Sequence, residues 1–230
     1  MNTIDKIIER IKPLDAKAME LAGQRQDRLT KPRGSLGTLE GLSVQIAGIT
    51  GEPMPRLKHK AILTMAADHG VTAQGISLYP AEVTRQMVLN FLEGGAAINV
   101  LSRMIGARVI IVDMGVRGGL PAVDGITFKR IAFGTKDMSI GPAMTHRQAI
   151  DCLLAGIDII EKELKTGLDI LGTGDMGIGN TTPSSTITAA VVTATPLNRR
   201  ELVCSPMTPL SLVILMTNIR MTGSSMPFTT

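Results

Sequence analysis

Aromatic residues are scarce in this 230-residue chain. Phe, Tyr and Trp together make up 2% of the sequence, with one Tyr and no Trp. Proteins that bind single-stranded nucleic acids stack the bases on aromatic side chains, and such a surface is nearly absent here. The 24 basic and 20 acidic residues are interspersed, so the formal net charge of +4 forms no basic stripe. The composition therefore argues against a nucleic-acid partner and weakly favours anionic small molecules.

Cysteines and long apolar runs are equally sparse. Cys152 and Cys204 are far apart and show no metal-ligand spacing, which favours two reduced thiols in a cytoplasmic protein. No uninterrupted apolar run approaches the length that spans a bilayer. The charged, amphipathic start of the chain, residues 1–15, differs from a signal peptide. We therefore expect a cytoplasmic protein with no membrane partner.

The sequence does contain a regular alternation of apolar patterns. Apolar residues with helical spacing occupy residues 4–29, broken at Pro13, and a second helix follows. Beyond them, short apolar runs at 61–67, 108–113 and 168–172 alternate with helical stretches. This order predicts right-handed βαβ crossovers. The expected fold is three-layer α/β/α with a mostly parallel, Rossmann-like sheet, plus a small helical N-terminal part.

An acid and a glycine stand at the end of each of the three runs. The acids are Asp68, Asp113 and Asp175. Ligands of open α/β sheets bind outside the carboxyl ends of the strands, so we expect the three acids along one edge, at a site. His69 suggests a general base or a metal ligand. Because no second His or Cys stands at ligand spacing, we favour a hydrogen-bonded histidine at a strand end.

A glycine-rich segment, GTGDMGIGNTTPSS at residues 172–185, follows the third run. Thr182 is the predicted N-cap of a helix, with Pro183 at its first position. Glycines ahead of a helix N-terminus leave backbone N–H groups free to face a phosphate or carboxylate. An ordinary strand-to-helix turn explains the same residues equally well.

Two known phosphate motifs can be compared with this segment. The P-loop requires a lysine that the segment lacks. Residues 172–177 do satisfy G-x-G-x-x-G, but no acid occurs at 176–200, where a dinucleotide site would place one. A dinucleotide-dependent oxidoreductase is therefore a weak alternative.

Longer blocks of the sequence carry a more specific resemblance. They are KPRGSLGTLE (31–40), ADHGV (67–71), GISLYPAEVTRQMVLNFLEGGAAINVL (75–101), VDMGV (112–116) and GDMGIGNTTPSS (174–185). In sequence and order these blocks resemble the nicotinate-nucleotide–dimethylbenzimidazole phosphoribosyltransferases, over roughly residues 1–196. These enzymes build the lower-ligand nucleotide of cobalamin.

The resemblance implies a transferase that uses no metal and no redox cofactor. It would move the 5-phosphoribosyl group of nicotinate mononucleotide to 5,6-dimethylbenzimidazole, in a homodimer. By resemblance, phosphate and ribose would be bound by Gly177, Gly179, Asn180, Thr181 and Thr182. The benzimidazole would be bound by Ser77, Tyr79 and Gln86, with Asp175 as a candidate auxiliary catalytic residue near its pocket. Alternatively, Asp175 is a helix-entry acid, Tyr79 a packing residue and Gln86 a solvated side chain.

The resemblance also divides the chain. We expect N-terminal helices at 1–50, an α/β core at 51–196 and a tail at 197–230 that does not match the family. The tail lacks the glutamate regarded as the catalytic base of the family, which suggests a truncated or frameshifted chain with impaired turnover. A divergent natural C-terminus is the other explanation. A non-catalytic protein that binds the base or the nucleotide is the alternative function.

Overall fold

The computed structural model describes residues 3–194, which form two compact units that meet in sequence between Leu57 and Lys58. The predicted tail at 197–230 lies outside the described residues. No helix among those described is long and apolar enough to cross a membrane.

The first unit consists of three helices, α1 (Thr3–Glu9), α2 (Ala16–Arg28) and α3 (Thr38–Thr50). The predicted break at Pro13 is confirmed, and the Asp15 side chain caps α2 by accepting the N–H of Ala18 at 2.9 Å. Helices α2 and α3 pack through small side chains, Ala18, Ala22 and Ala47. The loop between them is tied by Glu40, which pairs with Lys31 at 2.6 Å.

The second unit holds the sheet. Its elements are β1 (Lys60–Ala67), a 3₁₀ helix (Gly70–Gln74), α4 (Val83–Leu92), α5 (Ala97–Met104), β2 (Ala107–Gly115), β3 (Ile126–Phe128), α6 (His146–Thr166), β4 (Ile170–Met176) and α7 (Thr181–Ala194). All pairs of strands are parallel, in the order β3-β2-β1-β4. The three predicted strands are thus confirmed as neighbours, with β1 in the centre.

Two details of the sheet differ from the sequence prediction. The third predicted strand begins at Ile170 rather than 168. The residue before it, Asp169, instead accepts hydrogen bonds at its carboxylate from the N–H groups of Lys58 and His59, at 2.7 and 2.8 Å. Strand β3 was missed altogether. It has three residues, too few to show a period of two.

The sheet is covered on both faces, which confirms the three-layer α/β/α fold. On one face, Ala66 and Ile111 pack with Val88 and Phe91 of α4. On the other face, Leu63 and Val112 pack with Ile159 of α6. Alternate strand residues thus supply two cores, as expected for strands buried on both sides. The carboxyl ends of all four strands meet at the same edge, which positions the candidate site.

Candidate functional site

Three strands deliver the predicted acids to one edge of the sheet. Asp68 follows β1, Asp113 lies in β2 and Asp175 lies in β4. The register pairs Ala66 with Asp113 and Met65 with Asp175. Because consecutive strand residues point to opposite faces, the carboxylates of Asp113 and Asp175 lie on opposite sides of the sheet. The predicted shared edge is confirmed, but the three acids do not form one cluster.

Asp113 is a structural residue. Its side chain is fully buried, and one carboxylate oxygen accepts two hydrogen bonds from the Arg130 guanidinium at 2.5 and 3.1 Å. The other oxygen accepts the N–H of Val116 at 2.9 Å. Charge-assisted bonds of this kind are the strongest in proteins. They join the end of β2 to the segment after β3, so both carboxylate oxygens of Asp113 already have partners within the protein.

Asp68 also faces inward. It is 2% exposed, and its Oδ2 accepts the N–H of Arg117 at 2.7 Å. Its backbone bonds to Gly115 and Thr135. Oδ1 has no hydrogen-bond partner among the described residues. Asp68 therefore connects the end of β1 with the segments that follow β2 and β3.

Asp175 has a different environment. More than a third of its surface is open to solvent, and Asn180 donates to its Oδ2 at 3.0 Å and to its backbone carbonyl at 3.3 Å. Partial loss of solvent around the carboxylate raises the pKa of Asp175, against the opposing effects of the His69 charge and the Asn180 hydrogen bond. The end of β4 thus presents an accessible acid that is protonated more readily than usual.

His69 lies close to this acid. The ring is half-buried, and its Nε2 is buried with no hydrogen-bond partner among the described residues. The loss of solvent lowers the pKa of His69, while the charges of Asp175 and Asp68 act to raise it. The hydrogen bond expected from the sequence is therefore absent at Nε2. No group of His, Cys, Asp and Glu in residues 3–194 could hold a metal ion, so the structure gives no support to a metal-ligand role.

The segment after β4 forms the predicted strand-to-helix loop. The predicted helix is present as α7, but it begins at Thr181, two residues before Pro183. The N-cap, however, is Asn180 and not Thr182, because the carbonyl of Asn180 accepts the first helical hydrogen bond, from Ser184 at 3.0 Å. Pro183 therefore lies at the third helical position. Its missing N–H costs little there, since the first N–H groups of a helix have no helical acceptor.

The backbone N–H groups of this loop alternate between bonded and free. Ile178 donates to the buried Thr84 hydroxyl at 3.0 Å. The N–H groups of Asn180 and Thr182 donate to loop carbonyls at 3.0 and 3.2 Å. In the part of the chain that the structure describes, the N–H groups of Gly177, Gly179 and Thr181 have no acceptor within hydrogen-bond reach. These three donors at a helix N-terminus can bind an anion.

Two glycines let this loop approach the end of β1. A Cβ atom on Gly177 would collide with the carbonyl oxygen of Ala67 and would lie 2.7 Å from Nε2 of His69. Gly179 has φ of +77°, and a Cβ there would lie 3.0 Å from the Thr72 side chain. A larger residue at either position would displace the loop.

The three residues expected to bind the benzimidazole are only partly brought to the loop. Ile76 contacts the position of Gly179, since a Cβ there would be 3.1 Å from its Cδ1, and Ser77 is the next residue. Tyr79 is 66% exposed, and its N–H donates to the Ser77 hydroxyl at 3.2 Å. Gln86 is exposed on α4. The assignment of a base pocket to these residues stays a prediction.

The dinucleotide alternative fails on geometry. Gly172 and Gly174 lie inside β4, paired with Ile62 and Thr64 of β1. In a dinucleotide-binding fingerprint the glycines form the turn between strand and helix. Here that turn begins only at Gly177, so the G-x-G-x-x-G match is a coincidence of sequence.

Comparison with known proteins identifies the family. A family model described as phosphoribosyltransferase matches residues 11–200. The chain belongs to this family. A relative from Desulforudis audaxviator is 53% identical over 197 residues, which are 86% of this chain and 56% of that protein. A relative from a Roseiflexus species is 56% identical over 191 residues, 83% of this chain and 54% of its own. Both are named nicotinate-nucleotide–dimethylbenzimidazole phosphoribosyltransferase.

Solved structures agree with this family. The crystal structure of CobT from Thermus thermophilus is 44% identical, with a TM-score of 0.74 over 76% of this chain and 53% of that protein. A structure of nicotinate-nucleotide–dimethylbenzimidazole phosphoribosyltransferase from the same organism gives a TM-score of 0.75 at 44% identity, over 78% of this chain and 54% of its own. The chain spans about half the length of the curated relatives it matches.

Proposed function

We propose that this chain takes part in the transfer of the 5-phosphoribosyl group from nicotinate mononucleotide to 5,6-dimethylbenzimidazole. The products are α-ribazole 5′-phosphate and nicotinate, and the reaction belongs to cobalamin biosynthesis. The observation that carries the proposal is the set of free N–H groups on Gly177, Gly179 and Thr181, beside the accessible carboxylate of Asp175. The names of the relatives support the choice of substrates.

The loop between β4 and α7 would hold the donor. The three free N–H groups and the positive end of the α7 dipole suit a phosphate. The Thr181 and Thr182 hydroxyls can add hydrogen bonds to phosphate or ribose. Asn180 holds Asp175 in place through its amide. An anion bound here would orient the ribose for an in-line displacement, and orientation is a large share of such catalysis.

The acceptor would lie on the side of Ser77, Tyr79 and Gln86. The Tyr79 ring is exposed enough to pack on a flat aromatic base. Asp175 would accept a hydrogen bond from the N–H of the base. Its raised pKa means that this acceptor is lost as the pH falls, so acidic conditions would weaken binding.

We expect weak turnover from this chain alone. Its 230 residues contain no segment that resembles the one holding the catalytic glutamate of the family. General-base catalysis contributes about 10²–10⁴-fold, so some activity can survive if the pocket forms. Asp175 would then be a poor substitute, because its side chain is one methylene shorter.

The experiment mixes purified chain with nicotinate mononucleotide and dimethylbenzimidazole and follows α-ribazole phosphate by chromatography, with binding of each ligand measured by calorimetry. Asp175→Asn should lower base binding and any turnover, whereas the exposed Asp124→Asn should change neither. Binding without turnover would favour the binding-protein alternative. No binding of nicotinate mononucleotide would contradict the proposal.

We also propose that the chain is a cytoplasmic homodimer. Helix α5 and the residue after it carry exposed apolar side chains, with Leu101 58%, Met104 79% and Ile105 55% exposed. Surfaces of this kind often mark protein interfaces. Light scattering that gives the mass of a single chain would contradict the dimer.

A further inference from the structure

A cavity of about 300 Å³ lies in the second unit, on the face of the sheet that α4 covers. It is bounded by the last turn of α4, by helix α5 and by the first half of β2. Phe91, Leu92, Val109 and Ile111 give it apolar walls. Strand β2 continues beyond Ile111 to Gly115, so the cavity lies away from the carboxyl ends of the strands and from the loop after β4.

Two of the lining side chains, Asn99 and Ser102 of α5, carry polar atoms with no partner. Asn99 is 9% exposed and Ser102 is 2% exposed. Asn99 Oδ1 and Ser102 Oγ are buried and have no hydrogen-bond partner in the described part of the chain. Residues three apart in a helix lie on the same side of it, so both groups belong to the same wall of the cavity. Unpaired buried polar atoms cost free energy, and each one needs an explanation.

The hydrogen bond that Asn99 does make defines what it can still bind. Its Nδ2 donates to the carbonyl of Phe91 at 3.0 Å, which fixes the amide and leaves Oδ1 as an acceptor. The Ser102 hydroxyl can both donate and accept. A ligand group that offers one N–H and one carbonyl oxygen therefore satisfies both side chains. A primary amide is such a group.

The charge around the cavity favours a neutral ligand. Arg103 lines it, and its Nη1 donates to the carbonyl of Gly94 at 2.9 Å. No acid in the described part of the chain lines the cavity, so nothing there would offset the repulsion between Arg103 and a cation. A carboxylate has no N–H for Asn99, and burying its charge beside the apolar walls is costly.

The size of the cavity limits the ligand to a small molecule. An apolar cavity of about 150 Å³ in another protein holds benzene, so the larger space here can take a ring with an amide attached. Both polar atoms are out of contact with solvent, and a ligand would give them hydrogen bonds without displacing water from them. Side-chain rotation at the cavity wall makes them reachable, and such a change commonly accompanies binding.

We propose that this cavity is a second small-molecule site, which binds a neutral primary amide on a small apolar ring. The amide N–H donates to Asn99 Oδ1 and its carbonyl accepts from the Ser102 hydroxyl, while the ring packs on Phe91 and Val109. The inference does not depend on the proposed function, since no residue of the loop after β4 takes part.

The first test follows the backbone amide resonances of the chain by NMR during titration with benzamide. Those of Phe91, Asn99 and Ser102 should move in a saturable way, with a Kd on the order of 1 mM for so small a ligand. Benzoate has the same ring without an N–H and should bind about tenfold more weakly or worse. No saturable shift at the cavity, or equal affinity for benzoate, would overturn the inference.

The second test predicts effects of opposite sign from one substitution. Ser102→Ala removes the unpaired hydroxyl, so the urea midpoint should rise, while the Kd of benzamide should increase about tenfold. Ser185→Ala makes the same change at an exposed position of α7. It is the matched control, because it brings the same gain in helix propensity. Its urea midpoint should rise less, and its affinity for benzamide should stay unchanged.

Two results of this comparison would contradict the site. A urea midpoint of Ser102→Ala no higher than that of Ser185→Ala would show that the Ser102 hydroxyl is paired in the folded chain. An unchanged affinity of Ser102→Ala for benzamide would show that the hydroxyl does not contact the ligand. Either result would overturn the inference.

Discussion

The carboxyl ends of β2 and β4 lie at the same edge of one sheet and both carry an aspartate. At the end of β2, Asp113 is fully buried, and both of its carboxylate oxygens accept hydrogen bonds from Val116 or Arg130. At the end of β4, Asp175 is accessible, and the loop after it leaves three N–H groups without acceptors among the described residues. The same strand-end position therefore serves stability in one place and can serve binding in the other. The two strand ends differ in whether neighbouring segments of the same chain supply hydrogen-bond partners for their polar groups.

The largest effect is expected when the hydrogen bonds at the buried carboxyl end of β2 are removed. Asp113→Ala removes both bonds to Arg130 and the acceptor for Val116. We expect a loss of about 3 kcal/mol in the free energy of unfolding, the lower end for a broken buried pair because Arg130 keeps part of its exposure. Urea unfolding measures it. Asp175→Asn should cost far less, and equal losses in the two variants would contradict the distinction between the two ends.

A smaller effect is expected when a hydrogen bond that holds the loop after β4, which we call the open end, is removed. Thr84→Val keeps the shape of a buried side chain but leaves the N–H of Ile178 without its acceptor. We expect a loss of about 1–2 kcal/mol in the free energy of unfolding, together with weaker binding of nicotinate mononucleotide. Thr186→Val removes an exposed hydroxyl of α7 and is the control. If Thr84→Val binds the nucleotide as tightly as the unmodified chain, Thr84 does not hold the loop in its binding conformation.

The smallest expected effect lies in the pH dependence of stability at the open end. Because folding lowers the pKa of His69, this residue contributes stability at pH values above its usual pKa of 6.5. The contribution is lost as the pH falls through the pKa of His69 in the folded protein. The raised pKa of Asp175 has the opposite sign, since its favourable contribution is present only in acid and is lost as the pH rises through the folded pKa. The two contributions therefore oppose each other as the pH falls below neutral.

Single variants should separate these opposing contributions. His69→Gln should lose less stability between about pH 7 and pH 5 than the unmodified chain, and Asp175→Asn should lose more. Urea midpoints at the two pH values measure the difference. A change of the same sign in both variants would show that the two groups do not titrate as the structure indicates.

The sequence predicted the sheet better than it predicted the site. The runs around Leu63 and Val112 were visible because strands buried on both faces are continuously apolar, and the loop before α7 was visible through its glycines and Pro183. Strand register is not visible in this way. Only the pairing of β1 with β4 places His69 over Gly177.

Because contacts between distant segments are not visible in the sequence, all three acids were predicted to lie at one site. Asp68, Asp113 and Asp175 stand at similar places in the sequence pattern, and their partners come from segments far away in the chain. The Arg130 guanidinium that closes the end of β2 lies in a stretch without any periodic pattern. Hydrogen bonds between distant segments, rather than strand positions, decide which strand end stays open.

Amide NMR with added nicotinate mononucleotide tests the distinction between the two strand ends most directly. The amide resonances of Gly177, Gly179 and Thr181 should move in a saturable way, because their N–H groups are free to meet the phosphate. Those of Val116 and Arg117, which are bonded to Asp113 and Asp68, should stay in place. Shifts confined to Val116 and Arg117, or no saturable shift in the loop, would contradict the assignment of the open end of β4 as the nucleotide site.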